Sequence, residues 1–226
     1  MDNFLGPASE DWQALGYSVL VSLAAVGLSL PLGLAAGYFL ARRSFPFKAV
    51  VETFVNLPLV LPPVVTGFVL LLLFGRRGWL GVPIAFTPLA AALAGAVMGF
   101  PLMVRAIRLA FQGIDPRLYQ AARSLGAGPL DAFWSVSLPL ARNGVIAGVV
   151  LAFARGLGEF GATLLFAGSA EGRRTLAVQI YILGESPNPA AAGRMWCLVL
   201  ASVVLACAAL AVSEYLERRG ARRESA

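Results

Sequence analysis

Apolar residues fall in five runs along the chain: 15–40, 54–74, 89–104 with an extension towards Ile107, 144–168 and 196–216. A helix rises about 1.5 Å per residue, so a run of about 20 residues crosses a hydrocarbon core of roughly 30 Å. The pattern predicts about five membrane-crossing helices. Cations or turns close the runs: Arg42, Arg43 and Lys48 after the first, a turn-rich loop at 75–88 with Trp79 at an interface after the second, Arg105 and Arg108 after the third, and Arg218, Arg219, Arg222 and Arg223 after the fifth. Gly33 with Gly37, and Gly95 with Gly99, have the small-xxx-small spacing that lets helices approach closely. The second run opens NLPLVLPPVVTG. Pro58, Pro62 and Pro63 bend it and free backbone carbonyls that only neighbouring protein or a wet cavity satisfies, so this run reads as a kinked lining helix. With Thr66 just beyond them, these prolines are candidates for a translocation pathway. The stretch 175–183 is too short to cross and predicts a short interfacial or re-entrant helix.

One polar segment interrupts the apolar runs. From Asp115 to Leu140 the chain reads DPRLYQAARSLGAGPLDAFWSVSLPL. Ala121, Ala122, Leu125 and Leu130, with Phe133 and Trp134, form an apolar stripe, and Arg117, Gln120, Arg123, Ser124 and Asp131 supply polar faces. That is a helix lying in water against a partner. Asp115 before Pro116 marks its start, Gly126, Gly128 and Pro129 its end, and a second short helix runs on to Leu138 and Pro139. The predicted element is an elbow that receives a push from outside the membrane.

Composition agrees with the pattern. With 226 residues, 58% of them hydrophobic, and a mean hydropathy of +0.77, the fold class expected is an all-α, polytopic membrane protein, one transmembrane unit over 1–226 with 115–140 as its cytoplasmic insert. The net charge of +6 is spread between apolar runs, which excludes a nucleic-acid surface. Counting Lys and Arg between the five runs puts twelve on one side and five on the other, so the N-terminus is expected outside and the C-terminus inside. The first eleven residues carry Asp2, Glu10 and Asp11 and no cation, unlike a signal peptide. Cys197 and Cys207 are ten residues apart on different faces of one run, which indicates neither a disulfide nor a metal site. There is no histidine, and the aspartates sit outside the apolar runs, so an intramembrane enzyme, a bound metal and a cofactor are all disfavoured. A passive channel or membrane scaffold fits the composition but leaves the polar segment without a purpose.

Two charges lie deep in an apolar run. Arg155 and Glu159 are four apart, share a helix face in the fourth run and can neutralise each other. Facing lipid, each would cost about 2.5–3.5 kcal/mol, so both are expected to face the bundle interior or a wet pathway. A structural tie and a pathway role both remain open at this point.

The polar segment resembles the cytoplasmic loop of bacterial importer permeases of the ATP-binding cassette class. Their pattern, E-A-A, three residues, G, nine residues, I, one residue, L-P, is met by Gln120, Ala121, Ala122, Gly126, Val136, Leu138 and Pro139, with Gln for Glu and Val for Ile. The resemblance implies a coupling helix that docks on a separate ATP-hydrolysing subunit. No phosphate-binding loop of the G-x-x-x-x-G-K-[ST] type occurs here, consistent with a motor on another polypeptide. Around Arg155 to Ser169, and most closely in Gly158, Glu159, Phe160 and Gly161, the chain is similar to permeases for molybdate and, less closely, sulfate. The implied protein is the permease subunit of an ATP-driven molybdate importer in the inner membrane, with tungstate, sulfate or thiosulfate as runners-up. It would work by alternating access as a homodimer, with two ATPase copies and an extracytoplasmic molybdate-binding protein. Arg155, Glu159, Phe160 and Gly161 join Pro58, Pro62, Pro63 and Thr66 as pathway candidates.

Overall fold

The computed structural model describes residues 9–224; Asp2 and most of the acidic N-terminal stretch lie outside the described residues. Regular structure among the described residues is helical throughout: α1 (Ser9–Arg42), α2 (Lys48–Val60), α3 (Pro63–Phe74), α4 (Pro88–Gln112), α5 (Pro116–Ser124), α6 (Pro129–Ala132), a π turn (Phe133–Ser137), α7 (Leu138–Leu157), α8 (Gly161–Phe166), α9 (Leu176–Gly184) and α10 (Pro189–Glu224). Ser9–Arg42, Pro88–Gln112, Pro129–Leu157 and Pro189–Val212 are long and apolar enough to cross a membrane. α2 and α3, which meet at 112°, add a fifth crossing when the pair is counted as one broken span.

That break corrects the expected kinked helix, and proline chemistry explains it. The residue before a proline is driven out of the helical region by the pyrrolidine ring. Leu61 precedes Pro62 and Pro62 precedes Pro63, so two consecutive residues are extended, with ψ of 140° and 134°. Two extended residues cannot be absorbed as a bend. Pro63 then starts α3 where its missing N–H costs nothing.

The third and fourth spans also differ from the apolar pattern. α4 continues to Gln112, so Arg105 and Arg108 lie inside the helix and do not end it; arginine is a good helix former, and Arg108 pairs with Glu52 of α2 at 2.9 Å. The fourth span begins at Pro129 and ends at Leu157, well before Gly168. The expected separate short helix before Pro139 runs into α7 through the π turn. Proline 139 has no N–H to give Ser135, and its ring crowds that carbonyl, so the turn before it widens: the Leu138 N–H reaches back five residues to the Phe133 carbonyl. The stretch 175–183 forms the short helix α9, nine residues long.

The core sits where α1, α4 and α7 meet, around Val26, Met103, Ile107, Phe111 and Ala152. Both glycine pairs work as expected. A Cβ on Gly37 would fall 2.5 Å from Ile107 Cγ2, and one on Gly99 would fall 3.0 Å from the Ala152 carbonyl oxygen, so α1 and α7 both touch α4 backbone-close. A second cluster, Leu70, Ala90, Ala94, Met98, Ala162 and Phe166, joins α3 and α8 to the N-terminal half of α4.

Candidate functional site

The elbow is built from local rules. Asp115 Oδ1 accepts the Arg117 N–H at 2.9 Å and caps α5, with Pro116 at its first position. At the other end Gly126 has φ +95°, the Gly126 N–H reaches the Arg123 carbonyl at 3.2 Å and the Ala127 N–H reaches the Ala122 carbonyl at 3.1 Å. This is a Schellman ending, and it needs a glycine at the left-handed position. The Arg123 guanidinium closes the turn by donating to the Ala127 carbonyl. No residue of α5 is buried. Leu118, Leu125, Leu130 and Trp134 are 48%, 88%, 75% and 61% exposed, a bare apolar strip on a polar elbow. Gln120 and Ala121 are exposed beside it and Ala122 is half-buried. Phe133 departs from the expected stripe: it turns inward, against Tyr38 and Phe111, while Val136 and Leu138 are half-buried behind it and Pro139 is exposed.

Two broken helices meet on the far side of the core. A Cβ on Gly67 of α3 would lie 2.7 Å from Ala162 Cα of α8, and one on Gly161 would lie 3.0 Å from Pro63 Cβ. The Pro62–Pro63 break and the Gly158–Gly161 break therefore face each other across bare backbone. Between α7 and α8 sits Glu159, with a side chain 1% exposed. Its Oε2 lies 2.6 Å from Arg155 Nη1, and its Oε1 accepts the Ala162 N–H at 2.9 Å, satisfying the start of α8. The expected pair is made, but not along one helix face: Arg155 ends α7 and Glu159 lies beyond its last residue. Thr66 is buried, Pro58 and Pro63 are half-buried, Pro62 is exposed, and Phe160 packs on Tyr181 with centroids 5.2 Å apart.

A third polar cluster escaped sequence reasoning. Asp11, which belongs to α1 and not to a free acidic tail, is fully buried and receives Arg194 Nε at 2.7 Å, Arg194 Nη2 at 2.8 Å and Gln179 Nε2 at 3.1 Å. The available signal was an aspartate only four residues before an apolar run. Its partners lie far along the chain, where spacing carries no information.

A family model described as "Binding-protein-dependent transport system inner membrane component" matches residues 29–222. The chain belongs to this family. It is a multi-pass inner membrane permease, the transport subunit of an ABC importer, and ATP hydrolysis belongs to partners of the ATP-binding cassette class. It is 47% identical to the "Molybdenum transport system permease protein ModB" of Escherichia coli (strain K12), over 92% of this chain and 94% of that one. With the "Sulfate transport system permease protein CysW" of Synechocystis sp. it shares 35% identity over 91% of this chain and 76% of the relative. Among solved structures, the permease fold recurs in a bacterial alginate ABC transporter in complex with an alginate pentasaccharide-bound periplasmic protein, with a TM-score of 0.70, 15% identity, and coverage of 94% of this chain and 80% of that one.

Proposed function

We propose that the solute this permease carries is molybdate. The observation that carries the reading is the 47% identity to a molybdenum permease across nearly the full length of both chains, against 35% to a sulfate permease. The 35% figure keeps sulfate as the reading to beat, with tungstate and thiosulfate beside it. Two copies would face each other about a two-fold axis, which would set the broken spans of both around one pathway. Each copy would take one ATPase on the strip Leu118, Leu125, Leu130 and Trp134, with Gln120, Ala121, Ala122, Gly126, Val136, Leu138 and Pro139 shaping the docking elbow. An extracytoplasmic molybdate-binding protein would deliver the anion. The N-terminus lies outside and the C-terminus inside, as the charge count favours. In the cycle, closure of the ATPases pushes both elbows and rocks the spans, and the facing breaks at Pro58, Pro62, Pro63, Thr66 and at Phe160 and Gly161 give way between outward and inward states. The charge of Arg155 is balanced by Glu159, so an anion passing nearby meets no bare guanidinium to trap it.

The test is uptake of labelled molybdate into vesicles carrying the chain with its ATPase and binding protein. ATP-dependent uptake that tungstate blocks and sulfate does not is the expected result. Competition by sulfate would transfer the chain to the sulfate reading with its architecture unchanged.

A further inference from the structure

A docked helix does work only if its displacement reaches the spans. No residue of α5 is fully buried, so a push on the strip facing a motor protein would tilt it without effect unless something behind it is stiff. Behind it lie three aromatic rings from three elements. Tyr38, in the last turns of α1, stands edge-on to Phe111 near the end of α4, with centroids 5.0 Å apart and planes at 79°, and edge-on to Phe133 of the π turn at 4.9 Å and 77°. Phe111 and Phe133 close the triangle at 6.0 Å. Phe111 is fully buried. The cluster is tied outward twice. Tyr119 of α5 stands close to the Tyr38 hydroxyl, and the exposed Trp134 stands edge-on to Phe133 at 5.4 Å and 81°. Flat rings in edge-to-face contact have few orientations available, unlike aliphatic side chains, which repack by rotamer changes. The π turn that carries Phe133 is already widened by Pro139, the kind of local irregularity that concentrates movement.

We propose that Tyr38, Phe111 and Phe133 are positioning residues that form a joint passing displacement of α5 to α1 and α4. The proposal rests on the docking role given to α5 above. None of the three touches solute. Their effect is on how much transport each ATP yields.

The test uses the complete transporter, permease with ATPase and binding protein, in liposomes, comparing Phe133→Leu, Tyr38→Leu and the double variant. Three quantities are read: ATPase co-purifying with the permease, ATP hydrolysed, and labelled molybdate imported per ATP. Both leucine variants are expected to hold the ATPase and hydrolyse ATP while import per ATP falls about threefold in each, with no further fall in the double variant, since both changes break one joint. Undiminished import per ATP in both single variants overturns the joint, and so do losses that multiply in the double. Ala122→Glu separates the two readings. If it leaves assembly and import intact, the docking role fails and the joint falls with it; if it strips the ATPase while the ring variants keep full import per ATP, the joint alone fails. Should a leucine variant not be recovered as a folded assembly, Tyr38→Phe is read on the same ratio, because it keeps the ring and removes only the hydroxyl that stands close to Tyr119: a fall of about twofold supports the joint and an unchanged ratio overturns it.

Discussion

Glu159 shows how one side chain serves two neighbours. It balances the charge of Arg155 in the last turn of α7 and accepts one free N–H of α8, that of Ala162. Glu159→Gln keeps an oxygen for the Ala162 N–H and loses the charge, whereas Glu159→Ala loses both. Breaking a buried pair by removing one partner costs about 3–5 kcal/mol, so Glu159→Ala is expected to lower the thermal unfolding midpoint in detergent more than Glu159→Gln does. Joint replacement of Arg155 and Glu159 by neutral residues of similar size should recover much of that loss. A recovered fold that still fails to import would assign the pair to the pathway; recovered import would make it a tie between α7 and α8. Gly126 is the second residue with a sharp demand. Its φ of +95° costs a side-chain-bearing residue about 1–2 kcal/mol, so Gly126→Ala should loosen the elbow, seen as faster amide exchange in α5 with the spans unchanged.

At the level of elements, the run pattern and the loop chemistry located the helices, and the cap and Schellman ending of α5 follow from Asp115, Pro116 and Gly126 in the order written. What the sequence left hidden were events made by non-local pressure or by competing local rules. Three prolines in a span announce a bend, but only the doubled restriction at Leu61 and Pro62 turns it into a break. Gly161 stands out through the resemblance, but its close approach to Pro63 and Val64 of α3 has no signal in local spacing. Phe133 has the right spacing for the exposed strip, yet the π turn rotates it into the core. The tight meeting of α3 with α8 has a direct test. A side chain on Gly67 meets the Ala162 backbone, so Gly67→Val should destabilise by about 1–3 kcal/mol, while Gly27→Val, with nothing within 4 Å, should leave the unfolding midpoint where it is.

For the whole molecule, orientation decides which face meets ATP. In a background without Cys197 and Cys207, a cysteine placed at Trp79, 85% exposed, should react with an impermeant maleimide added to intact cells, and one placed at Leu125 should react only after the cytoplasmic face is opened. The reverse labelling would overturn the charge count and place the elbow away from any motor. The clasp of Asp11 with Arg194 adds a consequence in the order of synthesis. The two residues are 183 positions apart, and Gln179 also comes late, so the ribosome makes α1 long before it makes what neutralises its carboxylate. During that interval the Arg194 guanidinium is missing from the edge of the first span, where an ion pair matters most. The first and last spans are sewn together only when translation is nearly complete. A chain cut short before α10 therefore lacks the two Arg194 N–H groups that hold the Asp11 carboxylate, and its first span stays unfastened to its last.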